Sequence, residues 1–347
     1  MDALVRANAL AAEFFRRELR NYRTGWAAGH LIKRRLGAAL NADSAWEVGV
    51  APDGWTRLSD HLRSRGVADE VMVAAGLAMP TESGFLVDRF RNRITFVAHD
   101  IDLRPVGFVA RSRNGQPRYL NTPTTQIYTK GRSLVGTGPQ QKQLAGGAIP
   151  VVVEGPTDAF AVSLLGEKWA GISPCGTAIT RHQALMIRRH AVTDTVIVML
   201  DPDAGGRAGA ERSLNLLSTH FETVLVAELP EGNDPAALYS TDPGLLRAAI
   251  EDARLLLEFA IDAELGRWGK VLDHISGQVE ALRAVAPLVV RLPSDRIAAQ
   301  VVRLSRHLGL EERVVSREVL ASVSRRQTAG APAGDLEAGP DLDSRTP

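Results

Sequence analysis

A single cysteine, Cys175, is the only thiol in the 347 residues. That excludes an internal disulfide and any cysteine-rich zinc site, so no zinc is expected and Cys175 reads as a small buried residue. No run of about 18 apolar residues occurs. The N-terminus also lacks the basic, apolar and small-residue order of a signal peptide, so no membrane partner is expected and the cytoplasm is the expected compartment. There is no Gly-x-x-x-x-Gly-Lys-Ser/Thr loop, which excludes a P-loop motor, and no internal repeat.

What is present is a large apolar fraction, 45% of the chain, with Lys and Arg nearly balancing Asp and Glu for a net charge of +1. At roughly 100 to 200 residues per domain, two or three folded domains are expected. The near-neutral total hides a separation. Residues 1–150 carry 21 Lys and Arg against 13 Asp and Glu, net +8, whereas residues 151–262 carry 8 against 16, net −8. A basic part beside an acidic one fits a phosphate-binding surface next to carboxylates that hold metal cations.

The first 80 residues read as helical, with Leu4, Ala7, Leu10, Ala11, Phe14 and Phe15 on one stripe at helical spacing. From Phe85 the pattern changes to short antiparallel strands, including Ile94, Phe96 and Val97 and the run Val106 to Ala110. After Gly146 and Gly147 come three apolar runs, Ile149 to Val153, Thr195 to Leu200 and Thr223 to Ala227, separated by helical patterns long enough for crossovers. That predicts a parallel sheet. Beyond Leu255 the chain is helical again, with Leu265, Val271, Leu272, Ile275, Leu288 to Leu292, Ile297, Val301, Val302 and Leu304 as core candidates. The last stretch is rich in Gly, Pro, Ala and Asp and is expected to be disordered. The expected class is α/β, α+β overall: a mixed, basic subdomain over 1–146, a parallel-sheet domain over 147–254, a helical subdomain over 255–325 and a tail over 326–347.

Two acidic elements stand at strand ends. Val151-Val152-Val153 leads into Glu154-Gly155-Pro156-Thr157-Asp158, and Val196 to Leu200 leads into Asp201-Pro202-Asp203. In a parallel sheet such tips share one edge, the usual place for a site. Residues two apart on an extended chain point the same way, so Asp201 and Asp203 can face Glu154 together. Converging carboxylates repel unless cations sit between them, and hard oxygen ligands suit Mg²⁺ or Mn²⁺.

This pairing resembles the Toprim module of primases, topoisomerases and certain nucleases, over roughly Ile149 to Leu238. Ser173-Pro174-Cys175-Gly176-Thr177-Ala178 is similar to that module's Gly-Thr turn. Leu229 to Ala236 is similar to the primase segment that supplies a further acid, Asp234, with Ala236 where the family often carries another. Upstream, Val87 to Phe96, Val106 to Arg111, Arg118 to Pro123 and Tyr128 to Leu134 resemble four motifs of the bacterial DnaG-type primase core, in the family's order. Residues 86–142 carry 10 Lys and Arg against 3 Asp, which suits a phosphate-tracking groove.

The resemblance implies DNA-templated synthesis of short RNA primers by metal-dependent nucleotidyl transfer, at the nucleoid or replication fork. Glu154, Asp158, Asp201 and Asp203 would be catalytic, with Mg²⁺ or Mn²⁺ on Glu154, Asp201, Asp203 and Asp234. Arg91, Arg93, Arg111, Arg118, Asn121, Lys130 and Arg132 would contact nucleotide or DNA. Partners would be a single-stranded DNA template and ribonucleoside triphosphates, with a replicative helicase or a zinc-bearing protein in trans as further candidates, because zinc-binding and helicase-binding domains are expected to be lacking. The alternatives are a primase-like single-stranded DNA-binding accessory without turnover, or a Toprim nuclease. Trp55, in Ala51-Pro52-Asp53-Gly54-Trp55, is expected to be a core aromatic.

Overall fold

A computed structural model describes residues 1–176, 178–200 and 212–329. Two compact units result, Met1–Phe259 and a second beginning at Ala260.

In the first unit, helix α1 (Asp2–Asn21) buries all six residues of its apolar stripe. It is followed by α2 (Trp26–Lys33), strand β1 (Gly49–Ala51), α3 (Arg57–Ser64) and α4 (Asp69–Ala74). The helical lobe therefore contributes a strand, which the helical reading of this region missed. A Cβ on Gly49 would stand 2.5 Å from Phe15 Cβ, so glycine is what lets β1 lie against α1.

A hairpin of β2 (Ala78–Pro80) and β3 (Leu86–Asp88) precedes a second sheet formed by β4 (Arg93–His99), β5 (Pro105–Ser112), β6 (Tyr119–Asn121) and β7 (Leu134–Val135). This sheet runs in the order β1-β4-β5-β6, with β7 also on β4, and every pairing is antiparallel. Asp88, the acid of the Val87-Asp88-Arg89-Phe90 motif, is a buried cap. Its Oδ2 accepts from Leu58 N at 2.7 Å and its Oδ1 from Ser59 N at 2.9 Å, satisfying donors at the start of α3. Burial pushes this carboxyl up, against the opposing pull of those bonds.

After α5 (Gln141–Ala145) the chain enters the predicted parallel sheet through β8 (Ile149–Val152), α6 (Pro156–Ser163), β9 (Trp169–Ile172), α7 (Arg181–His190), β10 (Thr195–Leu200) and β11 (Thr223–Glu228). Helices α8 (Pro235–Thr241) and α9 (Pro243–Glu251) and the short β12 (Arg254–Leu255) follow. The order is β12-β11-β10-β8-β9, parallel except for β12. The register pairs Val198 with Val152, so β10 and β8 end side by side, the one leading to Asp201 and the other to Glu154. A backbone bridge between Val135 and Ser173, bonded both ways at 2.9 Å, joins the two sheets. Buried Gln140 reinforces the joint: its Nε2 donates to Gly171 O at 2.7 Å and its Oε1 accepts from Gly171 N at 3.1 Å.

Helix α10 (Leu256–Trp268) leads into α11 (Ile275–Val289), α12 (Ser294–Leu308) and α13 (Glu312–Ala329). Leu265, Val289, Leu292, Val301 and Leu304 are buried as expected and Leu272, Ile297 and Val302 are partly buried, but Val271, in the turn before α11, and Ile275, its first residue, are exposed. Helix α13 runs through 326–329, the first residues of the expected tail, and the rest of that stretch lies outside the described residues. Among the described residues no helix is long and apolar enough to cross a membrane.

Candidate functional site

The tip of β8 opens into a cavity of about 290 Å³ within the first unit. Glu154, Asp158 and Asp234 line it together with Arg34, Arg118 and Lys130, so acids and cations face one space. Each group has a local cause. Glu154 follows the buried run Val151 to Val153 and is itself exposed, and its carbonyl accepts from Ser173 Oγ at 2.8 Å. Gly155 caps α6 and has no room for a side chain, because a Cβ there would lie 2.5 Å from Asp158 Oδ2. Asp158, in the first turn of α6, is buried, and its Oδ1 accepts from Ala236 N at 3.1 Å, tying the start of α6 to the start of α8. Asp234 is the N-cap of α8. Its Oδ1 accepts from Ala237 N at 2.6 Å and pairs with Arg34 at 3.5 Å. Asp158, an expected catalytic acid, and Asp234, an expected metal ligand, thus also hold the scaffold.

The basic wall is built from the antiparallel sheet. Arg118 lies over the Tyr119 ring, 5.9 Å from its centroid, and the Tyr119 hydroxyl is 3.3 Å from Thr157 Oγ1. Burial first, then Asp158, pushes the Tyr119 hydroxyl up, so it stays protonated and able to donate. Asn121 donates through Nδ2 to Cys175 O at 3.1 Å, and its Oδ1 is buried without a hydrogen-bond partner among the described residues. Lys130 crosses Gly176, where a Cβ would stand 2.6 Å from Lys130 Cε, so a side chain there would push the lysine aside. Cys175 is buried beside it, and burial pushes its thiol up to about 12, which keeps it an unreactive packing group.

Four of the predicted basic residues do not line this cavity. Arg111 is buried behind it and bonds to His30 Nε2 at 3.0 Å. Burial, then Arg111, Arg34 and other cations, lowers His30 to about 4, so the ring is neutral at pH 7 and accepts that bond. Arg93 donates to Pro117 O at 3.0 Å and so holds the loop that carries Arg118. Arg91 stacks 3.8 Å above the Trp55 ring, which is 66% exposed. Trp55 is therefore a surface aromatic and not the expected core residue. Arg132 is exposed and lines a separate cavity of about 270 Å³ with Arg104 and His182. Arg34 and Tyr119 are cavity residues that sequence reasoning missed. Arg34 sits at the C-cap of α2, in a basic run with no motif around it.

Asp201 and Asp203 lie outside the described residues. Among the described residues no group of three or more His, Cys, Asp and Glu stands ready to hold a metal ion. The chemistry of the donors nevertheless fits a hard divalent cation: every acid at the mouth offers oxygen, and the described residues lining the space include no imidazole and a single thiol. Cys175, which does line it, is held protonated.

Comparison with known proteins agrees with this fold. Residues 14–140 match the DNA primase catalytic core, N-terminal domain, and residues 151–239 match a Toprim-like family. The DNA primase of Mycolicibacterium smegmatis is 32% identical over 310 residues, 86% of this chain and 48% of that protein. This chain spans about half the length of such relatives, 48% in that case. The RNA polymerase domain of Mycobacterium tuberculosis primase DnaG, solved with double-stranded DNA, superposes with a TM-score of 0.73 at 31% identity, covering 90% of this chain and 99% of that one. A DnaG primase catalytic domain bound to single-stranded DNA gives 0.70 at 26% identity, covering 89% and 98%. The chain belongs to the DnaG primase family.

Proposed function

We propose that this chain is the polymerising core of a DNA primase, joining ribonucleotides on a single-stranded DNA template. The observation that carries this reading is the single cavity in which Arg34, Arg118 and Lys130 face Glu154, Asp158 and Asp234. A nucleoside triphosphate presents phosphates to cations and needs its remaining charge neutralised by metal, so both walls have a use. A divalent ion, Mg²⁺ or Mn²⁺, held by Glu154 with Asp201 and Asp203 would supply charge neutralisation at the phosphates when bound.

The chain's own residues do the rest. Lys130 and Arg118 bind phosphate oxygens, Arg as a planar fork and Lys as a point charge. Arg34 shares its charge between Asp234 and the ligand. Buried Asn121 Oδ1 offers an acceptor to a ligand hydroxyl or amine, and Asp158 keeps α6 and α8 together beneath the site. In the transfer, the 3′-oxygen of the growing primer bonds to the α-phosphorus while the bond to the departing pyrophosphate breaks, and the hydroxyl proton passes to solvent. The Arg91 and Trp55 stack offers a charged aromatic surface on which a template base can lie. The DNA in the two related structures supports a DNA template. Incubation with single-stranded DNA, labelled ribonucleotides and Mg²⁺ or Mn²⁺ tests the reading: new short RNA supports it, and shortened DNA or binding without synthesis overturns it.

A further inference from the structure

The turn that carries Lys130 makes no regular strand or long helix of its own. Lys130–Arg132 is a single 3-10 turn between an extended segment and β7. Its position is set from across the fold by the first turn of α7. Thr180 caps α7 and Gln183 closes a capping box with it: Gln183 N donates to Thr180 Oγ1 at 3.2 Å, and Thr180 N donates to Gln183 Oε1 at 3.0 Å. The same two side chains then reach outward. Thr180 Oγ1 donates to Gly131 O at 2.6 Å. Gln183 Nε2 lies 3.0 Å from Lys130 O, 2.8 Å from Ser133 O and 2.8 Å from Pro174 O.

Gln183 is fully buried. An amide has two N–H bonds, so three carbonyl acceptors share them, and among the described residues Gln183 supplies the side-chain hydrogen bond to each. The three carbonyls come from both sides of the Lys130 turn and from the loop bearing Gly176. One amide group therefore fixes the distance between the turn and the glycine over which the Lys130 side chain lies. A helix start alone needs only the capping box; the outward bonds are additional to it.

We infer that Gln183, assisted by Thr180, is a positioning residue for Lys130, holding its ammonium at the phosphate-binding side of the cavity. This rests on the proposed nucleotide-binding reading of that cavity. Gln183→Met conserves volume and removes the amide. It is expected to weaken binding of ATP with Mg²⁺ about tenfold, or about 1.4 kcal/mol. The decisive arm combines it with Lys130→Ala. If Gln183 acts through Lys130, the double variant binds ATP no more weakly than Lys130→Ala alone. Losses that multiply, or an unchanged Gln183→Met affinity, overturn the inference. If Gln183→Met does not fold, Thr180→Val carries the same cycle, with Thr180→Ser expected to restore wild-type affinity. Absence of nucleotide binding and primer synthesis by the wild-type chain would instead sink the reading of the cavity, so the two failures are distinguishable.

Discussion

Glu154 and its two acidic neighbours differ in what else depends on them. Glu154 is exposed beyond a strand end, so Glu154→Gln removes charge while keeping the side chain's size and its capacity to hydrogen-bond. Synthesis should fall by about 100-fold or more, since metal-held phosphate chemistry is worth several kcal/mol and each 1.36 kcal/mol is tenfold. The melting temperature should stay within a degree or two of wild type; a folded Glu154→Gln enzyme with near-normal primer yield would remove Glu154 from the site. Asp158 is buried and binds the Ala236 amide, so Asp158→Ala should lose stability as well as activity.

His30 gives a pH dependence with a definite sign. Its folded value of about 4 lies below the ordinary 6.5, so the unfolded chain binds more protons between those values. Stability from this group is complete above about 6.5 and is lost as pH falls toward 4. The ring is partly solvated, so screening trims the effect to about 1 kcal/mol. His30→Gln keeps an acceptor for Arg111 but cannot take a proton. Urea melts at pH 7 and pH 5 should show it gaining on wild type at the lower pH; an equal gap at both would refute the assignment.

At the scale of elements, the placement of Asp158 depends on how closely α6 lies on β9. A Cβ on Gly171 would stand 2.0 Å from Ala159 O, a backbone atom that moves only with the whole helix. Gly171→Ala should cost about 1–3 kcal/mol in denaturant melts, the usual range for overpacking, and lower activity together with stability because α6 carries Asp158. Wild-type stability would mean that the helix is not seated so tightly.

The same contact shows why β9 was illegible in the sequence. Trp169-Ala170-Gly171-Ile172 contains only one β-branched residue, and its glycine answers to a helix rather than to a strand partner. By contrast, β8 and β10 carry consecutive buried residues and, like the less buried β11, read as continuous apolar runs, and α1 shows its stripe because one face alone is buried. Glu154 and Asp158 were legible from the end of a buried apolar run, and Asp234 from the resemblance of Leu229 to Ala236 to a primase segment. Arg34, Tyr119 and Gln183 were not, because their roles arise from residues at least 38 positions away in the chain: Asp234, Thr157 and Lys130. Trp55 misled for the opposite reason. Its area favours burial, yet the neighbouring Arg91 covers one ring face at the surface.

On the scale of the whole molecule, the near-neutral total of +1 and the internal split of +8 over 1–150 against −8 over 151–262 have a joint consequence. Long-range attraction for a polyanion is weak, so on the proposed reading the cations of the cavity wall would hold phosphates, of DNA as well as of nucleotide, at close range. Affinity for single-stranded DNA should therefore be set by a few discrete contacts whose number appears as the salt slope. Each phosphate contact contributes about 0.7 to the slope of log affinity against log salt for single strands. Arg118 and Lys130 both line the cavity. Replacing both with alanine should flatten that slope by about 1.4, twice the single-contact value. It should weaken binding to the same degree for oligonucleotides of different sequence, since phosphate contacts carry no base information. Fluorescence anisotropy with labelled oligonucleotides from 50 to 300 mM salt measures both quantities. An unchanged slope would place the DNA away from this wall, and a loss confined to one sequence would mean that these two residues read bases instead of phosphates.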